Sequence, residues 1–375
     1  MSRLNIIILF GGVSPEHEVS VISGLQVIEN IDRTKFDVYA IEQTQEGLFN
    51  YYEELFWKQD YLKIKPRLIN FGRDKKGAFF TTLGIFKRKT YVDIAYLAYH
   101  GGNGESGQVQ GLLEVLNIPY TSSNVESSAI SMNKVLTKEV LEKNEIMTVP
   151  WTRIFSEDVK NDVNGSIDRV LDKLSLPIII KPTHLGSSIA INIAKNKVEL
   201  KKYLLQASQV DSEILIEKFM KRFVEYNISV RCINGVVETS EIEKPISKDE
   251  ILSFADKYKK GGKKIGGMAS LDRELPAKIN ISLKNKLQDI AKNVFRLIRA
   301  KGMLRIDFME AKNKVYVTEV NPIPGSMAFY LWEASGISFK DQITNLLDEA
   351  IIDDENRKSK FLKYDSDIVE KFARD

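Results

Sequence analysis

The stretches M-L-R-I-D-F-M (303–309) and V-Y-V-T-E-V-N (315–321), followed by P-I-P-G (322–325), decide how this chain folds. Both alternate polar with apolar residues, the period of a half-buried strand. Ala311-Lys312-Asn313 supplies a turn between them. Arg305 and Asp307 lie two apart and share a face, as do Glu319 and Asn321. A register that joins the polar faces gathers two carboxylates, an amide oxygen and a guanidinium on one side of a hairpin. Carboxylates in a sheet are costly unless paired or metal-bound. Hard oxygen donors from few side chains suit Mg²⁺ shared with a phosphate substrate. An Arg305–Glu319 ion pair, with Asp307 at a solvated edge, accounts for the same residues equally well.

A chain of 375 residues is long enough for two or three domains. Its 54 basic and 51 acidic side chains leave a net charge of +3, mixed along the chain, which argues against a nucleic-acid or membrane-surface protein. Cys232 is the single cysteine, so no internal disulfide forms. Three histidines (His17, His100, His184) disfavour a zinc site built from histidine and cysteine. No apolar run reaches the roughly 18 residues of a membrane span. The N-terminus runs into a strand without a cleavage pattern. These features predict a soluble, cytoplasmic protein.

Outside the hairpin, strands and helices alternate. Asn5 to Phe10 is a continuous apolar run, as in a buried parallel strand. Gly11-Gly12 turns the chain, and Ser14-Pro15 starts a helix. Phe36 to Ile41 and Val92 to Ala98 read as further strands, with an aromatic-rich insertion over about 43–90. The alternation predicts an open, mostly parallel sheet. One helix is expected over 124–144, from Ala129, Met132, Leu136 and Val140 at helical spacing. Strands follow near 151–155, 177–181, 189–193 and 214–218, and strands dominate from 226 onward. A helix fills about 280–300, and the last forty residues read as helical.

Three further segments suit chemistry. In L-P-I-I-I-K-P-T-H-L-G-S-S (176–188) a buried strand delivers Lys181. The loop Gly186-Ser187-Ser188 then offers N–H groups and hydroxyls to phosphate oxygens; an ordinary hairpin loop has the same composition. In I-L-I-E-K-F-M (214–220) apolar residues around Glu217 suit a flat base, with its carboxylate meeting a ribose or an amino group; an amphipathic strand end reads the same way. His100, in H-G-G-N-G-E-S-G (100–107), follows a strand where ligands gather in open sheets, and a structural role fits it as well.

Taken in order, nine motifs resemble the D-alanine–D-alanine ligase family of the ATP-grasp superfamily. They are L-F-G-G-V-S-P-E-H-E-V-S (9–20), H-G-G-N-G-E-S-G-Q-V-Q-G-L-L-E (100–114), I-P-Y-T-S-S (118–123), S-M-N-K (131–134), I-K-P-T-H-L-G-S-S (180–188), I-E-K-F (216–219), A-D-K-Y (255–258), L-R-I-D-F (304–308) and E-V-N-P-I-P-G-S (319–326). The resemblance covers about residues 1 to 350. It implies an α/β (α+β), three-domain ATP-grasp fold: an N-terminal open-sheet domain (1–122), a central domain (123–218) and a C-terminal domain (219–375). ATP phosphorylates the first amino acid, and the amine of the second displaces phosphate from the acyl phosphate. By motif match Lys134, Lys181 and Ser188 hold ATP phosphates. Glu217, Lys218 and Phe219 border the adenine, Glu225 reaches the ribose, and Lys257 reaches the γ-phosphate. Asp307, Glu319 and Asn321 bind two Mg²⁺ (or Mn²⁺). Arg305 and the Gly325 amide stabilise the oxyanion. Glu16, tied to Ser187 and Tyr258, takes the ammonium of the first D-alanine, and His100 lies near its carboxylate. The resemblance also implies a homodimer, a cytoplasmic enzyme of peptidoglycan precursor synthesis, and small-molecule partners only.

The chain departs from the family after Gly325. The usual T-S-x-S stretch is replaced by S-M-A-F-Y-L-W-E-A-S-G (326–336), leaving Ser326 or Tyr330 to hold the acceptor carboxylate. An acceptor such as D-serine is therefore the alternative within enzymes. The retained Lys257-Tyr258 pair argues against a depsipeptide ligase. A nucleotide-binding regulatory protein without catalysis is expected to lose metal ligands or phosphate lysines, and this chain retains them.

Overall fold

The computed structural model describes residues 3–85, 87–186, 190–246, 272–359 and 366–374. Three sheets organise them. The first holds β1 (Leu4–Gly11), β2 (Phe36–Gln43), β3 (Phe49–Tyr52), β4 (Arg67–Asp74), β5 (Gly77–Thr82), β6 (Lys89–Tyr91) and β7 (Ile94–Leu97), in the order β6-β5-β4-β3-β2-β1-β7. The apolar run of β1 lies between β2 and β7 and pairs parallel with both, so it is covered on both faces. From β3 to β6 the pairing is antiparallel. The sheet is thus mixed rather than mostly parallel: only the pairings of β1 with β2 and β7 are parallel, and the aromatic insertion adds an antiparallel meander beside them. Gly24, on the helix His17–Asn30, allows that helix to touch β1. A Cβ there would lie 2.5 Å from Phe10 Cγ.

The second sheet is antiparallel, in the order β10-β9-β11-β8. Its strands are β8 (Trp151–Phe155), β9 (Ile178–Pro182), β10 (Asn192–Ala194) and β11 (Glu213–Lys218). The helices Val163–Lys173 and Lys197–Ala207 bury Ile167, Val170, Leu200 and Leu204 against Ile178, Ile180 and Ile214.

The third sheet runs β14-β13-β12-β15-β16. Here β12 is Val224–Ile233, β13 Val236–Pro245, β14 Arg273–Glu274, β15 Met303–Ala311 and β16 Lys314–Asn321. Lys312 and Asn313, both at positive φ (52° and 62°), form the tight turn between β15 and β16. The helix Ile281–Leu297 covers one face through Leu287, Ala291 and Val294. Beyond its hairpin, β16 makes a further backbone pairing: Val317 N–H donates to Met147 O at 2.9 Å, and Thr148 bridges Val317 in parallel.

One helix expectation changes. The helix expected over 124–144 is two, Val125–Met132 and Lys134–Lys143. Asn133 between them is extended (φ −93°, ψ 101°), and its side chain accepts from Leu136 N–H. Capping by asparagine breaks the helix although the apolar spacing continues across it. The C-terminal helix Phe339–Lys358 returns to the first sheet, where Phe339, Ile343 and Leu347 share a core with Ile6 and Ile8.

Candidate active site

The hairpin register pairs Asp307 with Glu319 and Arg305 with Asn321, placing all four on one face. Asp307 also opposes Asn227 on β12, which opposes Glu243 on β13, so a polar row crosses four strands. Arg305 grips Asp307 with both arms, Nε to Oδ1 at 2.7 Å and Nη2 to Oδ2 at 2.9 Å. Asp307, not Glu319, is therefore its partner in the hairpin. Arg305 Nη1 is buried without a hydrogen-bond partner among the described residues, a donor positioned for an incoming acceptor. Asn321 Nδ2 donates to Asp307 Oδ2 at 3.2 Å.

The helix break at Asn133 puts Lys134 first in the next helix. Lys134 Nζ donates to Leu185 O at 2.7 Å and lies 3.3 Å from Glu319 Oε1. The loop beyond β9 is anchored by Asp211, which accepts from His184 N–H at 2.7 Å. Lys181 on β9 opposes Leu215, so Glu217, two residues along β11, shares its face. Glu217 is buried and pairs with Lys181 and, at 2.6 Å, with Lys138 Nζ. Burial would raise this carboxyl, but the two ammonium groups hold it down at about 2. Its carboxylate thus faces the two lysines. Lys218 and Phe219 have their N–H groups bonded to Pro150 O and Pro177 O. Glu225 is exposed on β12.

At the carboxyl ends of β1 and β7, the Ser14-Pro15 turn leads to Glu16, and the helix begins at His17, slightly later than the proline signals. Glu16 N–H donates to Ser14 Oγ at 3.0 Å. A Cβ on Gly101 or Gly186 would lie 2.6 or 2.5 Å from Glu16 Oε2, so both glycine loops close on this carboxylate. His100 Nε2 lies 2.7 Å from Ser23 Oγ, and Nδ1 lies 3.3 Å from Ile323 O. Burial pushes its pKa down to about 4, which leaves the ring neutral at pH 7. Glu16, His100, Lys134, Arg305, Glu319, Asn321 and Gly325 line one cleft of about 630 Å³ that opens to solvent.

Two family models divide most of the chain between them. One described as D-ala D-ala ligase N-terminus matches residues 5–123, and one described as D-ala D-ala ligase C-terminus matches residues 140–348. The chain belongs to the D-alanine–D-alanine ligase family. The protein called D-alanine–D-alanine ligase from Thermosipho africanus is 34% identical over 373 residues, covering 98% of both chains. The structure of the D-alanine–D-alanine ligase from Coxiella burnetii superposes with a TM-score of 0.81 at 28% identity, over 96% of this chain and 97% of that one. The VanG D-Ala:D-Ser ligase from Enterococcus faecalis shares the fold, with a TM-score of 0.77 at 23% identity, over 93% of this chain and all of the other.

For a D-alanine–D-alanine ligase family member, the motif reading passed over two groups: Glu105 in this cleft and Lys138 in a smaller cavity beside it. Glu105 lies in the H-G-G-N-G-E-S-G segment. It accepts from Gly101 N–H at 2.6 Å and from Ile323 N–H at 3.2 Å, joining the loop after His100 to the loop after β16. Burial and the nearby Glu16 charge push its carboxyl up to about 8. Lys138 follows Lys134 by one helical turn, the spacing that signals a shared face. Ser187, Ser188, Lys257 and Tyr258 lie outside the described residues. Ser326 is buried and opens a left-handed turn, with Ser326, Met327 and Ala328 at φ of 50°, 51° and 45°. Three such non-glycine residues in succession are strained, and they occupy the place where this chain departs from the family pattern. No helix among the described residues is long and apolar enough to cross a membrane.

Proposed function

We propose that this chain joins two D-alanines into D-alanyl-D-alanine, converting ATP to ADP and phosphate through an acyl phosphate, for peptidoglycan precursor synthesis. The observation that carries the reading is the single cleft lined by Glu16, His100, Lys134, Arg305, Glu319 and Asn321. It offers a carboxylate for an ammonium group at one end. Cations and hard oxygen donors for phosphate chemistry lie at the other.

In this reading Glu16 takes the first substrate's ammonium, helped by Ser187 and Tyr258, and neutral His100 borders its carboxylate. Lys134, Lys181, Lys257 and Ser188 hold the phosphates while a carboxylate oxygen attacks the γ-phosphorus and ADP leaves. Glu217, Lys218 and Phe219 border the adenine, and Glu225 the ribose. The second amine then attacks the acyl carbon. Arg305 Nη1 and the Gly325 N–H meet the oxyanion, the C–O bond to phosphate breaks, and the new amide nitrogen loses its proton. Ser326 contributes to the acceptor carboxylate's site. Asp307, Glu319 and Asn321 fit divalent metal because Asp307 Oδ1 retains a lone pair beyond its bond from Arg305 Nε, and Glu319 and Asn321 add hard oxygen donors on the same face. Two Mg²⁺ (or Mn²⁺) ions bound there would neutralise phosphate charge. The reading also includes domains of 1–122, 123–218 and 219–375, with the helix Phe339–Lys358 packed back on the first core. It further includes a cytoplasmic location, a homodimer and no macromolecular partner beyond itself.

The test measures phosphate release with ATP and Mg²⁺ against single and paired D- and L-amino acids, with products weighed by mass spectrometry. D-alanyl-D-alanine as the main product is expected. A preference for D-serine as the second substrate moves the acceptor assignment, and no amino-acid-dependent phosphate release overturns the reading.

A further inference from the structure

Lys138 has no role in the proposed reaction, yet of Lys134, Lys138 and Lys181 it is the most deeply buried. Its side chain is 3% exposed, as is that of Glu217, while Lys181 is 18% exposed. Lys138 Nζ lies 2.6 Å from Glu217 Oε1, and Lys181 Nζ pairs with Oε2. Two ammonium groups thus share one carboxylate, and the cluster carries a net positive charge. Lys138 also borders, with Lys134 and Glu319, a smaller cavity beside the main cleft. Of the two lysines, only Lys181 stands at a strand end with access to solvent. Lys138 is held within its helix, and among the described residues its Nζ pairs with Glu217 and donates to Val149 O.

We propose that Lys138 is a positioning residue for ATP: it neutralises Glu217, so that Lys181 is free to turn from that carboxylate to a phosphate. This rests on the reading of Lys181 as a phosphate ligand. The physical reason lies in the cost of an unpaired buried charge. With Lys138 present, Glu217 keeps a counter-charge when Lys181 leaves. Without it, Lys181 is the sole partner of a buried carboxylate, and each phosphate contact must first break that pair. Breaking a buried pair in this way weakens binding on the order of 100-fold or more.

The experiment measures the Kd for ATP with Mg²⁺ by calorimetry, and separately the KM for D-alanine, in Lys138→Met, Lys138→Arg, Glu217→Gln and the double variant K138M/E217Q. Lys138→Met is expected to weaken ATP binding on the order of 100-fold while the KM for D-alanine stays near the parent value. Lys138→Arg keeps the charge and is expected to keep most of the affinity. In the double variant Glu217 no longer retains Lys181, so at least tenfold of the loss returns, a non-additivity that a merely structural role does not produce. A Kd within about threefold of the parent for K138M, or no recovery in the double variant, overturns the inference. If K138M fails to fold, K138R and the double variant carry the test, and loss of affinity in both overturns it. Should the parent chain itself bind no ATP, the proposed function fails instead, so the two failures are distinct.

Discussion

Replacing Asp307 by asparagine tests whether charge holds the polar row of the third sheet together. The change keeps the shape of the side chain and removes the negative charge that Arg305 grips. The two members are unequally buried: Arg305 is 8% exposed and Asp307 19%. The guanidinium therefore loses its counter-charge where water reaches it poorly, and removing one partner of a buried pair costs about 3–5 kcal/mol. That is a large share of a typical domain stability of about 5–15 kcal/mol. The converse change, Arg305→Met, leaves a more exposed carboxylate that still accepts from Asn321 Nδ2, so its cost is expected to be smaller, roughly 1–3 kcal/mol. Trp332 is a suitable reporter, because it is buried and its Nε1 donates to Ser229 Oγ on β12 at 2.9 Å. Urea unfolding of nucleotide-free protein, followed by Trp332 fluorescence with Trp57 and Trp151 changed to phenylalanine, gives both numbers. A cost below about 1 kcal/mol for D307N, or a larger cost for R305M, would refute the reasoning.

Glu319 differs from Asp307 in being 34% exposed and paired with a lysine. Glu319→Gln is thus expected to leave stability within about 1 kcal/mol while lowering phosphate release roughly 100-fold or more; an unchanged rate at low Mg²⁺ sinks the metal assignment. Glu105 titrates near 8 in the folded chain against an ordinary 4.5, so between these values the folded state holds more protons and stability falls as pH rises. His100, lowered from 6.5 to about 4, acts in the opposite sense but only below 6.5. Melting curves between pH 6.5 and 8 isolate Glu105 from it, and E105Q is expected to flatten the slope there. Gly24→Ala is expected to destabilise by about 1–3 kcal/mol through contact with Phe10, outweighing the ~1 kcal/mol gain in helix propensity; a raised Tm contradicts the close helix–strand approach.

How much was legible depended on whether the deciding interaction was local. The hairpin face could be read because strand alternation and a short turn fix which residues are neighbours, and Asp307 does stand opposite Glu319. The parallel half of the first sheet was legible in the apolar run of β1. Asn133 shows the limit of periodicity: the apolar positions continue past it, and only the capping bond of its side chain to Leu136 N–H ends one helix and begins another. Glu217 shows a second limit. Its inward orientation needs the register of β9 against β11 and the placement of a helix more than seventy residues earlier in the chain, roughly counted, and no local pattern encodes either. The return of Phe339–Lys358 to the first core is non-local in the same way.

The short contact between Met147, Thr148 and Val317 has a consequence for solubility. As the last strand of its sheet, β16 would otherwise present a row of free backbone groups beside an alternating apolar sequence, a template on which another chain can add a strand. The connector from helix to β8 occupies the middle of that edge, where Val317 N–H is already bonded to Met147 O. A loosened connector would therefore reveal itself first as self-association, with the strand that carries Glu319 and Asn321 recruiting its counterpart in a second molecule.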